Sequence, residues 1–154
     1  MKKSLFDRID PVIIAAAHKY EIPLTRFALF AVYFWFGYLK VIGVSSANPL
    51  VAALLEQTLP FMTFGTFIVW FGWYEMLIGI LFLFPKSTRV AVALTVVHMI
   101  TTAGPLVLLP SVTWQSMMVP TLEGQYIIKN LLILAAIVTL AADVKRKKEK
   151  RGNK

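Results

Sequence analysis

Five side chains in this sequence stand where charge or a titrating ring is costly. Lys40, Glu75, Arg89, His98 and Lys129 each lie inside or at the edge of a long apolar run. A charged group at the centre of a bilayer costs at least about 2.5–3.5 kcal/mol on insertion scales, so each of these needs a partner or a task. Glu75 says most. It is the single charge between Phe61 and Pro85, and its short side chain cannot reach water from the middle of a helix of that length. Gly65, Gly72 and Gly79 recur every seven residues on the same side of that helix as Glu75, and small residues let a neighbouring helix approach closely. Glu75 is therefore expected to point toward protein.

The preceding apolar run carries a matching stripe. Arg26, Tyr33, Gly37 and Lys40 fall at helical spacing and share one face. The flexible stem of Lys40 could carry its ammonium down to Glu75 or up to water. His98 shares a face with Thr95 and Thr102, and Lys129 opens the last apolar run, one turn after Gln125. Together Lys40, Glu75, His98, Lys129 and Tyr33 could line one polar pocket that binds a ligand or fixes helix register. The plainer readings stand beside this one: a structural Lys40–Glu75 pair, a packing histidine, an interfacial anchor at Lys129 and a boundary marker at Arg89. The aromatic runs Phe34-Trp35-Phe36, Trp70-Phe71 and Trp73-Tyr74 read as lipid-facing or packing surface.

Several chemistries fail on residue count. The 154 residues include no cysteine and two histidines, which removes disulfide exchange, thiolate metal sites and iron–sulfur clusters. A haem held by two histidines needs both in the apolar region, and His18 lies outside it. Zinc chemistry wants about three ligands, and only Glu75 and His98 are available there. Neither a phosphate-cradling glycine loop nor a nucleophile elbow occurs. No metal is expected, and without a catalytic motif a non-catalytic role is the expectation.

The elements that must position these groups follow from hydropathy. The chain is 58% hydrophobic and 16% charged, with a mean hydropathy of +0.70. So much apolar surface on a small chain favours lipid as solvent. Four runs suit the roughly 20 helical residues that cross a hydrocarbon core: Leu24 to Val44, Phe64 to Phe84, Pro85 or Ser87 to Ala103 (extending at most to Leu109), and Gln125 to Ala142. The expected fold class is all-α, a polytopic membrane protein built as a four-transmembrane-helix bundle with short interfacial helices. Residues 1–23 form a cytoplasmic amphipathic segment with a helix start at Asp10-Pro11. Residues 24–142 form the transmembrane domain, and residues 143–154 a basic cytoplasmic tail. Asn48-Pro49 opens a short helix closed by Pro60. Gly104-Pro105, Pro110 and Pro120 predict an irregular third loop, with Trp114 and Tyr126 at the headgroup boundary.

Lysine and arginine placement sets the orientation. The segment up to Arg26 holds five, the second loop holds Lys86 and Arg89, and the tail holds seven, whereas Ser45–Thr63 and Gly104–Gly124 hold none. Both termini are expected inside. The basic ends point to a membrane surface and not to nucleic acid. Asp7, Arg8 and Asp10 interrupt the apolar region that a cleaved signal peptide would need.

FWFGYLKVIG in the first span, GWYEMLIGILFLFP in the second and the STRVAVAL that follows resemble the DoxX-like membrane family. Its members show a glycine and lysine late in helix one, a glutamate in helix two and a small basic turn opening helix three. The resemblance runs from about Arg26 to Ala142 and carries over to Lys40, Glu75 and Arg89. It implies a four-helix membrane bundle in a bacterial or archaeal plasma (inner) membrane and association with quinone-linked or oxidative-stress redox assemblies. No cofactor is certain. A quinone is the class that the resemblance and the polar pocket together suggest, since a carboxylate and an imidazole can exchange protons with its headgroup. The expected partners are the lipid bilayer and either other membrane redox subunits or further copies of the chain. A small-solute or proton transporter, and an assembly module packing through its glycine face, are the competing readings.

Overall fold

In the computed structural model, residues 5–152 are described, with side chains from residue 9 to residue 144. The expectations resting on Lys2 and Lys3, on Asn153 and Lys154, and on the side chains of the basic tail beyond Val144 lie outside that range. The chain is mostly helical. Helix α1 spans Leu5–Val41, α2 Asn48–Thr58, α3 Phe64–Leu83 and α4 Thr88–Ala103. Two single-turn helices follow, α5 (Pro105–Leu108) and α6 (Pro110–Thr113), then a small antiparallel hairpin, β1 (Trp114–Ser116) with β2 (Val119–Pro120). Helices α7 (Leu122–Lys129) and α8 (Leu131–Gly152) close the chain. Four helical stretches are long and apolar enough to cross a bilayer: Ile9–Val41, Phe64–Leu83, Pro85–Leu108 and Leu122–Val144.

Two boundaries differ from expectation. Asp10-Pro11 does not start a separate helix, because α1 runs unbroken for 37 residues with Pro11 and Pro23 inside it. Pro23 has no N–H to offer the carbonyl of Lys19, yet the long apolar run behind it carries the helix across that missing bond. The last span is likewise not one uniform helix ending at Ala142. It turns at Asn130, whose N–H bonds the carbonyl of Ile127, and then continues to Gly152.

The four long helices meet in one core, to which each contributes two fully or nearly buried residues: Leu29 and Tyr33 from α1, Ile78 and Phe82 from α3, Ala91 and Met99 from α4, Ile137 and Leu140 from α8. The closest pair is α1 against α3. Gly37 and Gly72 lie back to back, so that a Cβ on Gly72 would stand 2.6 Å from the carbonyl oxygen of Gly37, and a Cβ on Gly79 would stand 2.9 Å from the nitrogen of Phe34. Helix α1 ends at Val41, beside Gly72. That is why Gly65, two turns nearer the N-terminus of α3, meets nothing within 4 Å and takes no part in the α1–α3 contact.

The third loop is more ordered than its prolines suggest. The indole of Trp114 donates to the carbonyl of Leu106 at 3.0 Å, and Thr121 caps α7 by accepting from the N–H of Gly124. Gly124 is required there, because a Cβ would collide with the carbonyl oxygen of Thr113.

Candidate functional site

Lys40 reaches the site because its helix stops where it does. In the last turn of α1, its Cβ lies against Gly72, and side chains on a helix lean toward the N-terminus. The stem therefore runs back along α3, away from the α1 terminus. Its Nζ donates to Oε2 of Glu75 at 2.6 Å and lies 5.5 Å from the centre of the Phe71 ring.

Glu75 is held from the other side by α4. Nε2 of His98 lies 2.8 Å from Oε1 of Glu75, so each carboxylate oxygen has its own partner. His98 is itself fixed by two rings, stacked on Phe71 at 5.2 Å and edge-on to Tyr33 at 5.2 Å. Tyr74 ties the same two helices together by donating to the carbonyl of Leu94 at 2.7 Å. All three members of the cluster are buried, with 5% of Lys40, 5% of Glu75 and 4% of His98 exposed. Such a cluster is retained only if its geometry is good, because the desolvation of each ion must be offset by short, charge-assisted bonds.

The structure thus joins Lys40, Glu75 and His98 directly to one another, with Tyr33 against the His98 ring, and these groups come from α1, α3 and α4. Lys129 is not among them. It is exposed at the end of α7, with Nζ 5.0 Å from the centre of the Tyr126 ring. Thr102 is also spent elsewhere, since its hydroxyl donates back to the carbonyl of His98. Arg89 is exposed and borders a surface groove of about 220 Å³ with Thr88, Val92, Ala141 and Val144, remote from Glu75. Among the described residues no group of three or more His, Cys, Asp or Glu is placed to hold a metal.

One buried cation was read from sequence as part of the basic inner end and of the stripe with Tyr33, Gly37 and Lys40, with no partner assigned to it. Arg26 is 7% exposed and donates through Nη1 to the carbonyl of Phe82 at 3.1 Å. Asp143 interacts with it electrostatically. A cation on the last free carbonyls of a helix is favourable for the dipole and for hydrogen bonding, so Arg26 closes the C-terminal end of α3. The stripe that it shares with Tyr33, Gly37 and Lys40 was the available signal, and each of these residues is buried.

Compared with protein-family models, curated proteins and solved structures, the chain matches none.

Proposed function

We propose that this chain is a DoxX-like integral membrane protein that crosses a bacterial or archaeal plasma membrane four times with both termini in the cytoplasm, and that it serves as an accessory subunit of a quinone-linked redox system. Its own contribution is a proton-holding centre made of Lys40, Glu75 and His98. The observation that carries the reading is the division of the Glu75 carboxylate between an ammonium and an imidazole, beside a core of Leu, Ile, Phe, Met, Ala and one Tyr. A carboxylate bonded to an imidazole can take up, hold and release a proton without exposing bare charge to its apolar surroundings.

The donor set is compatible with a quinone headgroup. His98 offers a ring nitrogen, Nδ1, that has no hydrogen-bond partner, and Trp35 on α1 and Trp70 and Trp73 on α3 are exposed. A quinone would supply the two-electron chemistry. The electrons must come from partner subunits, because this chain has neither cysteine nor a second histidine near His98. Lys40 keeps Glu75 oriented, and Glu75 with His98 exchanges the protons.

The assembly reading has less support, because Gly72 and Gly79 are already filled against α1. Transport has less support as well, because Ile78, Phe82 and Leu140 are fully buried in the core between the four helices. The test is purification from native membranes of the wild type and of Glu75→Gln. Wild type should retain quinone and capture a redox partner, and the variant should lose both. If the wild type carries no quinone and captures the same proteins under oxidising and reducing conditions, the redox reading is wrong.

A further inference from the structure

Three buried polar atoms at and beside His98 complete no hydrogen bond of good geometry: Nδ1 of His98, the hydroxyl of Tyr33 and Oγ1 of Thr95. Their residues are 4%, 3% and 0% exposed. They share one seam between α1 and α4. Thr95 lies one turn before His98 on the same face of α4, Tyr33 sets its ring against the imidazole, and its hydroxyl is within interaction range of Thr95. Elsewhere in these helices buried or half-buried hydroxyls find partners. Thr101 and Thr102 bond the carbonyl of His98, and Tyr74 bonds that of Leu94. Thr95 is the exception, for it does not use the back-bond to its own helix that is open to a helical threonine.

Groups of this kind are rarely left alone in a folded core. Tyr33 and Thr95 interact with each other, which leaves Nδ1 of His98 and the remaining donor and acceptor capacity of the two hydroxyls to match the two to four partners that a buried water takes, and such a water needs only about 10–15 Å³. We propose that the Tyr33–Thr95–His98 seam binds one water molecule. This water completes a continuous hydrogen-bonded row from Tyr33 and Thr95 through His98 to Glu75 and Lys40. By occupying Nδ1 it also fixes which nitrogen of His98 faces Glu75, as a second partner does for any imidazole whose other nitrogen is engaged. Nδ1 of His98 is also the nitrogen that a quinone headgroup would take in the redox reading, so occupancy by water and occupancy by a quinol are separated by the delipidation arm of the test.

The test uses the full chain in lipid with ¹⁵N-labelled histidine, in a His18→Gln background that leaves His98 as the single signal. The Nδ1 resonance should be that of a hydrogen-bonded nitrogen, should lose that character in Tyr33→Phe and Thr95→Val, and should keep it in Thr95→Ser. Thr95→Val should also lower the melting temperature by about 2–4 °C, because it strips a partner from a satisfied site. A bare Nδ1 in the unsubstituted chain overturns the proposal, as does a Thr95→Val protein that melts at or above the parent temperature, the behaviour expected when an unsatisfied hydroxyl is removed. Exhaustive delipidation separates water from a hydroxyl carried by a lipid or quinol headgroup. Water stays and the signal persists, whereas loss of the signal on delipidation overturns the assignment to water.

Discussion

Gly37 and Gly72 each occupy the space in which the other's side chain would have to begin. A Cβ on Gly37 would lie 2.5 Å from the carbonyl oxygen of Gly72, and a Cβ on Gly72 would lie 2.6 Å from that of Gly37. Lys40 and Glu75 each stand three residues further on, so this contact sets the spacing of the backbones across which the ion pair closes.

Gly72→Ala is therefore expected to force α1 and α3 apart. The cost should be about 1–3 kcal/mol from overpacking, read as a lowered melting temperature in detergent. Gly65→Ala, at a position with open space around it, should leave the melting temperature unchanged or slightly raised, since alanine is the better helix former. Equal losses at the two positions would contradict the packing described.

The buried ion pair should behave as one unit. Lys40→Met leaves Glu75 with His98 as its remaining partner, and Glu75→Leu strands both Lys40 and His98, so each should destabilise, by up to about 3–5 kcal/mol. The double variant Lys40→Met/Glu75→Leu should lose much less than the sum, a non-additivity that a double-mutant cycle of unfolding free energies measures. Additive losses would mean that the 2.6 Å contact carries no coupling.

Arg26 acts at the other end of α3. Replacing it with Met removes a charge-assisted bond to the carbonyl of Phe82 and should cost about 1.5–3 kcal/mol. Hydrogen exchange should locate the effect: amides in the last turn of α3 exchange faster, while those around Glu75 keep their protection. Uniform loss of protection throughout α3 would show that Arg26 does more than close its end.

Lys129 provides the negative control. It touches the Tyr126 ring and not the cluster, so Lys129→Gln should leave both the melting temperature and the ¹⁵N signal of His98 where they were. A shift in that signal would place Lys129 in electrical contact with the site.

Hydropathy and glycine spacing were enough to find the four apolar helices and to turn Glu75 toward protein, because a lone carboxylate in a run such as GWYEMLIGIL has few other low-energy options. The same one-dimensional logic could not place Lys129. Its height in the sequence matched that of Lys40, but Lys129 lies exposed at the end of α7, just before the turn at Asn130. It also overcounted the glycine face, because a seven-residue repeat says which side of α3 is small and not how far the neighbouring helix extends along it.

Composition and the order of charges determined by themselves that this chain builds long apolar helices with one acid buried among them. Periodicity along a single helix is a local property and survives without knowledge of neighbours. Tertiary structure alone decided that Lys40 turns back from the end of α1, that His98 meets the second oxygen of the same carboxylate, and that Arg26 caps α3. Each of those contacts joins residues at least 23 positions apart. Their geometry depends on where one helix stops against another, which no spacing within a single helix encodes.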